Sequence, residues 1–63
     1  MAGQIRILVA DDHTVVRAGV RALLEHHAHF RVVAEASTGE EAVAKAREFT
    51  PDVAVVDVRM PGI

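Results

Sequence analysis

Sixty-three residues with a formal net charge of −2, no cysteine and two phenylalanines in place of any richer aromatic content make at most one small domain. A chain of this size buries only about 60% of the surface it exposes when unfolded, so its stability is marginal. The balance argues against a basic nucleic-acid arm or an aromatic stacking platform, against disulfides and thiolate metal sites, and, at 51% hydrophobic residues, against a disordered tail.

In chain order, "IRILVA" at 5–10 is a continuous branched apolar run, the pattern of a strand covered on both faces in a parallel sheet. It is too short for a signal-peptide core or a membrane span, and a cytoplasmic protein with no membrane association is expected. The run stops at Asp11 and Asp12. The spacing of Val16, Val20, Leu23 and Leu24 predicts an amphipathic helix over about 13–27, with Arg17, Arg21 and Glu25 four apart on another face. Gly19 within it costs about 1 kcal/mol relative to Ala and marks either close packing on the sheet or a weak point.

"FRVVAEA" at 30–36 reads as a second strand, and residues 38–49 as a second helix with a well-marked start. Thr38 and Glu41 have capping-box spacing, Glu40 and Glu41 suit the positive end of the helix dipole, and Ala42, Val43, Ala46 and Phe49 form the expected buried stripe. Pro51 ends the helix. "DVAVVD" at 52–57 is then a third strand of roughly 20 Å.

Strand, helix, strand, helix, strand with short connections implies a doubly wound α/β sheet with right-handed parallel crossovers. Such sheets bind ligands outside the carboxyl ends of their strands. Asp11 and Asp12 close the first strand and Asp57 the third, so the three converge if those strands are neighbours. Two carboxylates about 4 Å apart repel by roughly 4 kcal/mol at an effective dielectric of 20, and a third adds to the need for a counter-charge. Oxygen ligands alone point to a hard ion such as Mg²⁺, beside which a carboxylate can act as a nucleophile towards a phosphoryl group. The simpler alternative is that Asp57 is a turn residue, with Pro61 and Gly62 completing the turn.

"ILVADDHTVVRAG", "VVAEASTGEEA" and "DVAVVDVRMPG" together resemble the first half of a bacterial response regulator receiver domain of the LuxR/NarL type, over about residues 4–63. The resemblance implies a flavodoxin-like fold truncated to βαβαβ, with Asp57 as phosphoacceptor. It further implies Mg²⁺ held by Asp12 directly, by Asp11 through water, by Asp57 and by the backbone carbonyl of Arg59. The phosphoryl group would come from a sensor histidine kinase or a small phosphodonor, so the chain is not an enzyme beyond accepting it. A complete receiver has five strands and five helices. On that measure the later half and the DNA-binding output domain are expected to be absent, DNA binding is not expected of this chain, and the third strand is left as an apolar edge for a homo-oligomer or a complementary fragment.

Two competing readings remain at the level of sequence. One is a non-signalling half-domain that acts as an interaction module; the other is a haloacid-dehalogenase-type phosphohydrolase, which fits poorly because Arg59 stands where that family has a second Asp. The His26, His27 and His29 cluster suits a solvated helix end better than a metal site. His13, next to the acidic pair, is expected to serve as a loop or helix-start residue rather than to perturb the site electrostatically, Arg17 and Arg21 as an exposed face pairing with Glu25 rather than as contacts for a phosphate or partner, and Arg59 as partial compensation for Asp57.

Overall fold

The computed structural model describes residues 3–59 and Gly62. Five elements follow one another: β1 (Ile5–Ala10), α1 (Thr14–Glu25), β2 (Phe30–Ala36), α2 (Gly39–Phe49) and β3 (Val53–Val56). The strands form a parallel sheet in the order β2-β1-β3, the βαβαβ arrangement of a doubly wound fold. α1 is shorter than the expected 13–27: His13 is its N-cap and His26 its C-cap, with His27 in the turn beyond. β3 is a residue shorter at each end than 52–57.

β1 is the central strand, and Ile7 through Ala10 are all buried. Its side chains alternate between faces. Leu8 and Ala10 join Ala34, Ala36 and Val56 beneath Ala42 and Ala46 of α2. Ile7 and Val9 therefore face the opposite layer, where α1 lies and Arg17 reaches Glu35, the register partner of Val9.

A bulge in β2 makes this division possible. The register steps from Ile7 opposite Val32 to Leu8 opposite Ala34, so Val33 has no partner on β1. One extra residue reverses the facing of everything after it. Phe30 and Val32 thus share the α1 face with Ile5 and Ile7, whereas Ala34 and Ala36 turn under α2. Glu35, which would otherwise point into the alanine-lined layer, comes to the α1 face.

α2 is fixed at both ends. Thr38 Oγ1 accepts from the Glu41 amide at 3.1 Å. Glu41 Oε1 accepts from the Ser37 amide at 2.6 Å, so the returning arm of the expected box lands one residue before the cap. At the other end Thr50 adopts a left-handed conformation, φ 43°, and its amide donates to Ala46 O. Its carbonyl accepts from Arg6 Nη1 at 3.0 Å, which ties the end of α2 to the start of β1. Ala42 is buried and Ala46 and Phe49 are half-buried, but Val43, expected in the stripe, is exposed. The helix approaches the sheet through its alanines, and Val43, next along the chain from Ala42, is turned about 100° away from that line.

α1 departs further from expectation, for it has no buried residue. The half-buried positions are Arg17, Val20 and Leu24, an i, i+3, i+7 line, while Val16 is exposed and Leu23 is 72% exposed. Engagement of Arg17 with Glu35 sets the rotation of the helix, and Val16 and Leu23 fall beside the contact line. Gly19 is also exposed and a Cβ there would meet nothing within 4 Å, so close packing is not its reason for being glycine.

Candidate functional site

The site grows from a single peptide group. The carbonyl of Ala10 accepts from the Asp57 amide, and the next amide along, that of Asp11, donates to Ala36 O, both at 3.0 Å. The Ala10–Asp11 peptide therefore joins all three strands at their carboxyl ends and brings Asp57 beside the acidic pair.

Both flanking acids then turn the chain in the same manner. Asp11 Oδ1 accepts from the His13 amide at 2.8 Å, and Asp57 Oδ1 accepts from the Arg59 amide at 3.0 Å, each two residues on. The turn role weighed against a chemical one is thus real, but it engages one oxygen of each carboxylate. Among the described residues, Oδ2 of Asp11 and of Asp57 carries no hydrogen bond. Gly62, at φ 87°, lies against the N-terminus of α2, where a Cβ on Gly39 would overlap the Gly62 backbone. The expectation for Pro61 lies outside the described residues.

Ligand-capable atoms of Asp11, Asp12, His13 and Asp57 all lie within 4.8 Å of one another. Asp11 is buried, the Asp57 side chain is 14% exposed, and the cluster opens to solvent through Asp12 and His13. His13 Nδ1 stands 3.1 Å from Asp11 Oδ1 and 2.9 Å from Asp12 Oδ1, so an N–H there is shared between the pair. Asp11 is held below the ordinary carboxylate range, chiefly by the His13 amide, against a smaller opposing effect of burial, with the His13 ring and Arg17 adding to the lowering. Arg59 Nε lies 3.6 Å from Asp57 Oδ1 on an exposed side chain, a partial counter-charge. Three carboxylates and one imidazole, oxygen-rich and half open to water, form a donor set that fits a hard divalent ion such as Mg²⁺.

The structure corrects one expectation about α1 and adds three residues to the site. Arg21 does pair with Glu25, at 3.2 Å. Arg17 does not join an exposed face: it is half-buried, its Nε meets Glu35 Oε1 at 3.0 Å, and its Nη1 donates to the Asp11 carbonyl at 2.7 Å. Sequence reasoning missed Glu35, Arg17 and the double contact of His13. A lone acidic residue in β2, where Arg31 is the other charged side chain, was the available signal. The three imidazoles at 26, 27 and 29 form no metal-capable group among the described residues; His27 packs on the Phe30 ring, centroids 5.1 Å apart. No helix among the described residues is long and apolar enough to cross a membrane.

A three-stranded parallel sheet with acids gathered at the carboxyl ends of neighbouring strands defines the class: a doubly wound α/β domain, a fold class that binds its ligands beyond the carboxyl ends of the strands. Comparison with known proteins gives the family. The response regulator receiver domain model matches residues 7–63, and the chain belongs to that family. It is 51% identical over 59 residues to the response regulator GacA of Pseudomonas viridiflava and 49% identical over 59 residues to the response regulator UvrY of Escherichia coli. Those alignments cover 94% of this chain but only 28% and 27% of the relatives. Among solved structures, the signal receiver domain of NarL from Mycobacterium tuberculosis superposes with a TM-score of 0.94 at 39% identity, over 98% of this chain and 50% of that one. A LuxR-family two-component response regulator from Aurantimonas superposes with a TM-score of 0.89 at 45% identity, over 95% of this chain and 43% of that one. The family is a signalling module of two-component systems rather than a classical enzyme, which sets aside the phosphohydrolase alternative.

Proposed function

We propose that this chain is the phosphoacceptor segment of a two-component response regulator, phosphorylated on Asp57 and dependent on Mg²⁺, in a protein that controls transcription. The observation that carries this reading is the meeting of Asp57 with Asp11 and Asp12 within 4.8 Å at the strand ends. Asp11, Asp12, Asp57 and the carbonyl of Arg59 would hold the ion, which supplies charge neutralisation for an incoming phosphoryl group. Asp57 uses an oxygen that its turn leaves free to attack phosphorus. The phosphorus–nitrogen bond of a phosphohistidine on a sensor kinase breaks, and the departing imidazole nitrogen takes up a proton. The β1–β3 hydrogen bond at Ala10 holds the nucleophile in place, so positioning and charge stabilisation do most of the work, as is usual for this chemistry.

The test is incubation of the chain with phosphoramidate, with and without Mg²⁺, followed by intact-mass measurement. Wild type should gain one phosphoryl group only with Mg²⁺, and Asp57→Asn should gain none. Folded wild-type chain that remains unmodified would overturn the reading.

A second reading is favoured by β3, whose Val53 and Val55 are exposed and which pairs only with β1 among the described residues. An apolar strand edge recruits partners, so association with a second copy or a complementary fragment through β3 accords with it. If the chain acts only as such an interaction module, oligomerisation survives Asp57→Asn and ignores Mg²⁺. A folded monomer by light scattering at micromolar concentration would remove this reading.

A further inference from the structure

Among the described residues, Arg17 is the one cation that connects the interior of the α1 face to the acidic turn. Its Nε is held by Glu35 Oε1 at 3.0 Å and its Nη1 donates to the carbonyl of Asp11 at 2.7 Å, with the side chain 19% exposed. That carbonyl belongs to the peptide joining Asp11 to Asp12. The preceding peptide is already fixed on both sides, through Ala10 O and the Asp11 amide. Locking the next peptide plane sets the direction in which Asp12 leaves the strand end.

Charge alone would make an arginine here a hindrance, because a guanidinium beside the acids competes with a divalent cation. Glu35 answers that objection. Arg17, Glu35, Arg21 and Glu25 alternate in sign along one chain of ion pairs, with Arg21 Nη1 2.5 Å from Glu35 Oε2 and Arg21 Nε 3.2 Å from Glu25. Arg17 thereby brings directional donors to the turn with its charge already matched. The arrangement depends on the Val33 bulge, which puts Glu35 on this face.

We infer that Arg17, anchored by Glu35, is a positioning residue that aims the Asp11–Asp12 pair for cation binding. This rests on the reading of the acidic cluster as a divalent-cation site. Its test measures binding of Mn²⁺ to the full chain by the loss of the free-ion electron paramagnetic resonance signal, with Mg²⁺ as competitor, for wild type, Arg17→Gln, Arg17→Lys, Glu35→Gln and Arg6→Gln.

Arg17→Gln should weaken binding by about tenfold or more, the scale of other losses in outer-shell support. Arg17→Lys should recover part of the loss, since an ammonium can reach the carbonyl but not fork to Glu35 as well. Glu35→Gln should also weaken binding. Arg6→Gln removes the same kind of guanidinium-to-carbonyl bond at the far end of β1 and should leave affinity within about twofold, as expected for an outer-shell change remote from the site.

Equal or tighter binding by Arg17→Gln, the outcome if its charge alone mattered, overturns the inference and leaves the cation site standing. Weakening by Arg6→Gln as large as that by Arg17→Gln would reduce it to general stability and equally overturn it. No binding by folded wild type would remove the site and the inference together. If circular dichroism finds Arg17→Gln unfolded, Glu35→Gln decides by the same criterion.

Discussion

α1 and α2 flank the same central strand and are held there by different forces. α2 lies on an apolar layer made mostly of alanines, with a side-chain cap at its start and the Arg6 side chain of β1 holding the Thr50 carbonyl at its end. α1 buries nothing completely, has no side-chain cap, and is fastened by Arg17 and Arg21 to Glu35. Apolar burial is strong but non-directional, whereas ion pairs and hydrogen bonds are weaker and set angles. α2 is accordingly held by apolar burial, whereas α1, whose face of the sheet still buries Ile7 and Val9, is aimed by its ion pairs and carries the geometry of the acidic turn.

The sharpest way to break this comparison is to truncate one apolar residue on each side. Leu8→Ala, on the α2 face and 1% exposed, should cost about 2–5 kcal/mol, enough to unfold a chain this small. Leu23→Ala on α1 should stay within about 0.5 kcal/mol in urea unfolding followed by circular dichroism. Comparable losses at both positions would erase the distinction. Next in size is the cap: Thr38→Ala should cost about 1 kcal/mol, and His13→Ala, which removes no cap bond, should cost less in the same assay.

The smallest effect is one of pH. Because Asp11 is held below its ordinary value of 3.8, the folded chain binds that proton more weakly than the unfolded chain does. Its contribution is fully present above the ordinary value and is lost as pH falls through the lowered, folded one. Acid titration of stability should therefore be shallower in Asp11→Asn than in wild type. Identical acid limbs would show that the turn at Asp11 adds nothing to folding.

Most of the frame was legible from the residues because its determinants are local. Branched apolar runs marked β1 and β3, Thr38 and Glu41 marked the start of α2, and alternation of elements implied parallel strands with acids at their ends. The facing of Glu35 was not legible. It depends on which residue of β2 is skipped in pairing with β1, a property of two strands together that no periodicity in one of them records. The same gap explains α1: the helix was legible, but of its four apolar positions only Val20 and Leu24 turn to the sheet, because the partner of Arg17 decides its rotation, and that partner becomes visible only once the bulge is known.

The peptide between Ala10 and Asp11 has one more consequence. Strands advance about 3.3 Å per residue, so a slip of β3 by one position would carry Asp57 by most of the 4.8 Å that spans the acidic cluster, and would turn its side chain to the other face. The cluster is in this sense a gauge of sheet registry. A population mispaired by a single residue would keep its helical and strand signals in a spectrum, yet it would fail to gather its charges, so, on the cation-binding function proposed above, a cation titration would count correctly assembled molecules where spectroscopy counts merely compact ones.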